Sequence, residues 1–201
     1  MAPRPYNSTV RKDAEAETLR RIIAATVALH AEKGAMATSH AEIAARAGVS
    51  VPTVYKHFPT RNDLLPHCIG EVAGAAPVLD REAILAAPDT GMRLACLVDA
   101  LHARYQYFHP WSRWMAVDAP FLPELARIAE EGAQELESLV KAVLADLYPR
   151  GIPQAVLALA IVILDYGTWQ QLHQRLGKPR AVSRAALLAL QRIVSSSPES
   201  E

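Results

Sequence analysis

Apolar residues recur every three or four positions along most of the chain, which is the spacing of helices that bury one face. Near the N-terminus this spacing predicts a helix over residues 15–33, with a buried side made of Leu19, Ile22, Ile23, Thr26, Val27 and His30. Two short helices are expected within residues 39–58, and a fourth helix, capped by Thr60 and Asp63, is expected to run toward Ala76. The pattern therefore predicts an all-α fold in this part of the chain.

The rest of the chain shows the same helical spacing, interrupted by breaks that contain proline or glycine. We expect helices over residues 91–109, 124–147, 154–176 and 181–194, and a short turn or helix over residues 111–117. Pro110 is expected to end the first of these helices, because proline lacks a backbone donor. Residues 155–164 are apolar on all sides, so a single covering face would not bury them. We therefore expect the last two helices to form a four-helix bundle with a second subunit, with intramolecular packing as the alternative.

Residues 38–61, TSHAEIAARAGVSVPTVYKHFPTR, contain the residue types that begin and end two short helices joined by a tight turn. Ser39 and Glu42 have the spacing of a capping box, and Gly48 suits the left-handed conformation that ends a helix. Ser50 is a favourable N-cap for the second helix. That helix carries hydroxyl and basic side chains, which is typical of a helix-turn-helix whose second helix enters a major groove.

This segment resembles the DNA-binding region of the TetR (tetracycline-repressor) family of bacterial transcriptional regulators, from Ser39 to Leu65. The resemblance implies an N-terminal three-helix helix-turn-helix DNA-binding domain and a C-terminal helical domain for ligand binding and dimerisation. Ala35 departs from the family pattern, in which an aromatic residue usually follows the preceding glycine. The expected divisions are a disordered basic arm at residues 1–14, the DNA-binding domain at 15–62 with its motif at 39–58, the helical domain at 63–195 and a disordered tail at 196–201.

The resemblance also implies which side chains face DNA. Val51, Pro52 and Lys56 would occupy the base-reading positions, where Lys56 is the strong donor and the other two are limited to apolar contacts. Arg61 would add charge at the N-terminus of the fourth helix, where backbone donors favour an anion. The other expected positions approach the phosphate backbone, and they are Ser39, His40, Ser50, Thr53, Tyr55 and His57. His40 could also contact a base.

Aromatic and polar side chains interrupt the apolar faces of the later helices, and this mixture is typical of a pocket for a drug-sized ligand. Asp165, Trp169 and His173 are four residues apart, so we expect them on one helix face. The alternative is that such aromatic residues belong to the core. The candidate pocket residues, for an apolar or aromatic effector, are Leu101, Tyr105, His109, Trp111, Trp114, Phe121, Asp165, Tyr166, Trp169 and His173.

The charge of the chain is unevenly distributed. Its 201 residues have a formal net charge of zero, but residues 1–70 hold nine Lys or Arg and six Asp or Glu. A basic N-terminal region on an otherwise acidic chain orients the helix-turn-helix toward a duplex. Arg4, Arg11 and Lys12 are candidates for an arm that enters a groove, with a solvated tail as the alternative.

The residues indicate neither catalysis nor a cofactor, because no nucleophile elbow, Gly-rich phosphate loop or HExxH motif occurs. Asp99, His102 and His109 share a helix face but lack a recognisable metal-site spacing, so no metal is expected. Cys68 and Cys96 are expected to be buried reduced thiols.

The N-terminal residues lack the apolar segment of a signal peptide, and the longest apolar run is too short to cross a bilayer. We therefore expect a cytoplasmic protein with no membrane partner. The sequence predicts a homodimeric repressor that a small apolar or aromatic effector releases from a palindromic DNA operator. Two alternatives remain open at this point. One is a DNA-binding regulator controlled by a protein partner, and the other is a helical small-molecule binding protein with a vestigial DNA motif.

Overall fold

The computed structural model describes residues 8–195, with side chains from Arg11 onward. In this range the chain is helical and contains no strand, which confirms the all-α prediction. Arg4 and the predicted tail at residues 196–201 lie outside the described residues. The α-helices are α1 (Ser8–Lys33), α2 (His40–Ala47), α3 (Val51–His57), α4 (Arg61–Gly74), α5 (Arg81–Leu85), α6 (Thr90–Ser112), α7 (Met115–Asp118), α8 (Pro123–Leu144), α9 (Gln154–Leu164), α10 (Tyr166–Leu176) and α11 (Pro179–Ser195).

The helices form two compact units that do not follow the predicted domain divisions. The N-terminal unit comprises the chain up to Ala75 together with Pro110–Arg127, called here the inserted segment. The C-terminal unit comprises Ala76–His109 and the chain from Ile128 onward. The expected division between residues 62 and 63 falls inside α4, which belongs to the N-terminal unit because its apolar side packs there.

The N-terminal unit is built on α1, against which α2 and α4 pack. Ala44 and Ala47 give α2 a small apolar face, so its backbone can approach α1 closely. The buried cluster consists of Ile22, Ala25, Leu29, Ile43, Ala44, Ala47, Val54, Phe58, Leu64 and Cys68. Helix α1 begins at Ser8 instead of residue 15, so Arg11 and Lys12 are helical and exposed and do not belong to a disordered arm. Residues 8–15 contain no Gly or Pro and several good helix formers, which explains the extension.

The C-terminal unit buries a second core between α6, α8, α9 and α11. Its most enclosed side chains include Leu97, Leu139, Val143, Leu164 and Leu190. The helix predicted over residues 124–147 ends earlier, because α8 stops at Leu144 and a 3-10 turn, Ala145–Leu147, leaves the Leu147 side chain exposed. The prediction of two buried thiols holds for Cys68 but is wrong for Cys96, which is exposed on α6.

Helix α6 continues through Pro110 and ends at Ser112, which corrects the prediction that Pro110 ends it. The bond lost to proline would have joined the carbonyl of Gln106, an exposed residue to which water has access. Because α6 ends two residues later, a single missing bond near its C-terminus does not stop the helix.

The predicted helix over residues 154–176 is two helices, α9 and α10, bent by 53° at a break. Asp165 lies at the break in an extended conformation and caps α10, because its Oδ1 accepts a hydrogen bond from the Gly167 nitrogen at 2.7 Å. Tyr105 donates its hydroxyl to the carbonyl oxygen of Leu164 at 2.7 Å. The prediction that Asp165 shares a helix face with Trp169 and His173 is therefore wrong.

Among the described helices, none taken singly has the length and apolar composition needed to cross a membrane, although the bent pair of α9 and α10 meets that criterion when taken together.

Candidate functional site

The caps of α2 and α3 fix the geometry of the helix-turn-helix. The Ser39 hydroxyl accepts a hydrogen bond from the Glu42 nitrogen at 3.3 Å, and the Glu42 carboxylate accepts one from the Ser39 nitrogen at 3.0 Å. Gly48 ends α2 with a φ of 65°, and the Ser50 hydroxyl accepts a hydrogen bond from the Thr53 nitrogen at 3.3 Å. These are the capping interactions predicted from the sequence, and the structure confirms them.

Helix α3 has one buried side and one exposed side. Val54 is fully buried and Phe58 is nearly so, which anchors the helix to α1 and α2. On the other side Val51 is 38% exposed and Tyr55 is 51% exposed. The remaining predicted DNA-facing positions of this region are exposed at Ser50, Pro52 and Lys56 and half-buried at Thr53 and His57.

Basic side chains lie on α3 itself and at the start of α4. Lys56 places its Nζ 3.9 Å from Glu15 Oε1, and both side chains are well exposed, so the pair contributes little to stability. Arg61, the first residue of α4, donates from Nε to the Thr38 carbonyl oxygen at 3.3 Å. Both cations therefore remain accessible to an anion.

His40 has two intramolecular contacts that the sequence did not indicate. Its Nε2 lies 2.9 Å from the carbonyl oxygen of Phe58. Its ring is stacked on Tyr55, with the centroids 4.4 Å apart and the planes within 4° of parallel. Because these partners are 18 and 15 residues away in the chain, no local pattern in the sequence could have indicated them.

The inserted segment contacts the C-terminal part of α1. Trp111 and Trp114 donate their indole Nε1 hydrogens to the carbonyl oxygens of Val27 and Ala31, at 2.9 and 3.2 Å. Asp118 is buried and accepts hydrogen bonds from the backbone nitrogens of Ala35 and Met36, at 2.6 and 3.3 Å. The loop between α1 and α2 is therefore held by a carboxylate more than 80 residues away.

These contacts separate three predicted pocket residues from the other seven. Trp111 and Trp114 contribute their donors to α1 in the N-terminal unit, and Phe121 is exposed in the same unit. Leu101 is part of the buried core of the C-terminal unit, and Asp165 is the exposed cap of α10. Three of the ten predicted pocket residues therefore belong to the N-terminal unit, and seven belong to the C-terminal unit.

The other five predicted pocket residues form one aromatic cluster in the C-terminal unit, made of Tyr105, His109, Tyr166, Trp169 and His173. Trp169 stacks on His173 with centroids 5.0 Å apart and planes 12° from parallel, and it stacks on Tyr166 at 5.6 Å. His109 Nδ1 lies 2.7 Å from the Tyr166 hydroxyl. Trp169 is buried and the other four are partly exposed. The cluster offers flat aromatic faces together with imidazole and phenol hydrogen-bonding groups.

His102 lies beside this cluster, with its ring 6.3 Å from that of Tyr105. Its Nδ1 is 3.1 Å from the Ser183 hydroxyl, and its buried Nε2 has no hydrogen-bond partner among the described residues. Burial lowers the pKa of His102 to about 4, so its ring is neutral at pH 7. The sequence suggested His102 only in a rejected metal set. No group of three or more His, Cys, Asp or Glu within residues 8–195 is arranged to hold a metal ion.

His30, on α1, makes the stability of the N-terminal unit dependent on pH. Burial lowers its pKa from 6.5 to about 4, while Asp118 opposes the shift and Arg61 reinforces it. Below pH 6.5 the unfolded chain therefore binds a proton that the folded chain does not, so stability is lost as the pH falls. We expect the free energy of unfolding to drop by up to about 3 kcal/mol between pH 7 and pH 4 through this group.

Urea unfolding at a series of pH values measures this loss. In a Trp169→Phe background, the fluorescence of Trp111 and Trp114 reports on the N-terminal unit. His30→Gln should flatten the pH dependence of that unit, whereas His102→Gln should not, because His102 lies in the C-terminal unit. An unchanged pH dependence in His30→Gln would contradict the assignment.

Solved structures with this fold cover nearly the whole chain. A transcriptional regulator from Rhodococcus sp. Rha1 is 23% identical, over 91% of this chain and 99% of its own, with a TM-score of 0.63. The TetR-family regulator PfmR from Thermus thermophilus is 22% identical, over 90% and 97% of the two chains, with a TM-score of 0.60. The multidrug binding protein EbrR, solved with imidazole, is 20% identical over 99% and 100%, with a TM-score of 0.58. At these identities the similarity shows a shared fold.

No curated protein sequence matches the chain. The family model described as bacterial regulatory proteins of the tetR family matches residues 22–68. This range holds the second half of α1, all of α2 and α3, and the first part of α4, which together form the capped helix-turn-helix. Residues 22–68 are therefore a helix-turn-helix segment of the tetR family of bacterial regulatory proteins.

Proposed function

We propose that this transcriptional regulator is a homodimeric repressor in the cytoplasm, in which α3 of each subunit enters the major groove of a palindromic operator. The observation that carries the proposal is that α3 has one buried side and one exposed side. Val54 and Phe58 anchor it, while Val51, Tyr55 and Lys56 remain exposed on a region with an excess of basic residues. Two such helices one turn of DNA apart, about 34–36 Å, would read a two-fold symmetric site.

The exposed side chains have different roles in this proposal. Lys56 donates to guanine O6 and N7 or to a phosphate, and Val51 and Pro52 contact thymine methyl groups. Ser39, Ser50, Thr53, Tyr55 and His57 set the register of the protein on the phosphate backbone. Arg61 supplies a charge-dependent phosphate contact from the start of α4.

An exposed apolar face supports the proposed dimer. Leu159 and Val162 of α9 and Leu188 of α11 are exposed within one subunit, and these two helices pack against each other. Large apolar side chains that lie together on a surface indicate a protein contact. A second copy of the same pair would bury them in a four-helix bundle, with each subunit contributing α9 and α11.

The aromatic cluster supports an apolar or aromatic effector. Its flat faces suit stacking, and His109, Tyr166 and His173 provide polar groups at the edge. EbrR, which shares the fold, is described as a multidrug binding protein. The effector acts by binding one of two dimer geometries more tightly, with a coupling free energy of about 1–3 kcal/mol.

Operator selection from random duplexes followed by Lys56→Ala tests the DNA-binding role. We expect this change to weaken binding to the selected operator by about 1–3 kcal/mol and to relax one base position in each half-site. Lys141→Ala is the matched control, because Lys141 is an exposed lysine of α8 with a carboxylate partner, as Lys56 is. Fluorescence anisotropy gives both affinities. If no sequence could be selected, the proposed function would be contradicted. If Lys56→Ala and Lys141→Ala had equal effects, Lys56 would not contact the operator.

A further inference from the structure

The parallel stack of His40 and Tyr55 joins the first helix of the helix-turn-helix to the exposed side of the second. His40 is the first residue of α2, and Tyr55 lies in the middle of α3. With centroids 4.4 Å apart and planes 4° from parallel, the two rings lie face to face. Tyr55 is 51% exposed, so without this contact its ring would have solvent on most sides.

A hydrogen bond fixes the His40 ring independently of the stack. The carbonyl oxygen of Phe58 can only accept a hydrogen bond, so Nε2 of His40, 2.9 Å away, is the nitrogen that carries the proton. Phe58 is the C-cap of α3, and its buried side chain holds this carbonyl in place. The hydrogen bond holds the imidazole at Nε2, and one face of the imidazole ring packs against the Tyr55 ring.

We propose that His40 is a positioning residue for operator binding, which holds the Tyr55 ring so that its hydroxyl is already directed at a phosphate in the free protein. The inference rests on the proposed function and adds a way in which one phosphate contact is positioned before DNA binds. An exposed side chain that must be immobilised on binding loses conformational freedom, and removing that loss beforehand improves affinity by about 2- to 12-fold. His40 therefore contributes to affinity through Tyr55 and not through a contact of its own with DNA.

This role differs measurably from a direct contact between His40 and a phosphate. A protonated imidazole that neutralises a phosphate would release a counterion, so its loss would reduce the salt dependence of binding. A neutral tyrosine hydroxyl releases none. Loss of His40 should therefore lower affinity without changing the slope of log Kd against log salt, whereas Arg61→Ala should lower that slope by about one.

A double-mutant cycle on the selected operator tests the coupling. Tyr55→Phe keeps the stacked ring and removes the hydroxyl, while His40→Gln keeps an amide donor for the Phe58 carbonyl and removes the aromatic face. We expect each single change to raise Kd by about 2- to 12-fold, and the double variant to be no weaker than Tyr55→Phe alone. His40→Phe, which restores an aromatic face without the donor, should recover most of the affinity lost in His40→Gln. Losses that multiply in the double variant, or a reduced salt slope in His40→Gln, would overturn the proposal.

A measurement without DNA separates this inference from the proposed function. The ring protons of Tyr55 should show an NMR ring-current shift in the free wild-type protein that is lost in His40→Gln and retained in His40→Phe. Unchanged Tyr55 resonances in His40→Gln would overturn the positioning role even if the operator binds. A stacked ring in a wild-type protein that binds no duplex would instead overturn the proposed function. The urea midpoint of each variant shows whether its N-terminal unit is folded.

Discussion

Val162→Glu is expected to separate the proposed dimer and to raise the operator Kd by a factor of at least about 100. Val162 is 58% exposed on α9, and the side chains of Leu159 on the same helix and Leu188 on α11, which packs against α9, are also exposed. A glutamate here would bring a charge into an apolar interface twice, once from each subunit, with no partner to offset the loss of hydration. A separated subunit would then bind only a half-site, and it would lose the gain in affinity that comes from linking a second DNA-binding unit.

Val117→Glu is a matched control for this change. Val117 is also a valine in a helix and is 61% exposed, but it belongs to α7 in the N-terminal unit. Light scattering after gel filtration measures the subunit number, and anisotropy with full and half operators measures both affinities. We expect Val162→Glu to bind the half operator as the wild type does and to lose only the gain from the full site. A dimer that persists in Val162→Glu would show that this face of α9 is not the interface.

Gly34→Ala is expected to destabilise the N-terminal unit by about 3 kcal/mol, from a strained backbone and lost hydrogen bonds. Gly34 has a φ of 84°, and a Cβ there would lie 2.8 Å from Asp118 Oδ2 and 3.3 Å from Trp114 Cβ. The carboxylate would have to move away, which would leave the buried backbone donor of Ala35 and the half-buried one of Met36 without a partner. The substitution therefore tests whether the inserted segment holds the loop between α1 and α2.

Gly48→Ala separates the two contributions. Gly48 also has a left-handed conformation, with a φ of 65°, but a Cβ there would meet only Arg21 Nη1, at 3.8 Å. It should cost about 1–2 kcal/mol, which is the backbone contribution alone. Urea unfolding in the Trp169→Phe background, followed by the fluorescence of Trp111 and Trp114, measures both losses. Equal losses at the two glycines would mean that the Asp118 contact contributes nothing to the stability of this unit.

The features that could be predicted from the sequence are local ones. A capping box is formed by residues three apart, so the pairs Ser39–Glu42 and Thr60–Asp63 can be recognised in the sequence without knowledge of the fold. The same is true of the Gly48 cap. Together with the Ser50 cap, these signals fix where α2, α3 and α4 begin.

The features that could not be predicted depend on partners far along the chain. Residues 154–176 are predicted as one helix, but the Asp165 carboxylate accepts a hydrogen bond from the Gly167 nitrogen and caps a new helix there. The Tyr105 hydroxyl donates to the Leu164 carbonyl oxygen at the break. Trp111 and Trp114 are predicted pocket residues because they are aromatic, and carbonyl oxygens of α1, more than 80 residues away, accept their indole hydrogens. Aromatic periodicity indicates burial, but it does not indicate what covers the ring.

In the candidate DNA interface, the sequence indicated residue types at the surface but not their pairing. Tyr55 was expected at the phosphate backbone, and its exposure is compatible with that role. His40 was expected beside it as a second contact, whereas the structure uses both its donor nitrogen and one of its ring faces within the protein.

The discontinuity of the N-terminal unit limits how genes for such regulators can recombine. A crossover just after α4 would join helices α1–α4 of one protein to the inserted segment of another. The foreign segment would then need a carboxylate and indole donors at the positions of Asp118, Trp111 and Trp114 to match the loop of this chain. Hybrids built to exchange operator specificity should therefore carry Pro110–Arg127 along with the first 75 residues.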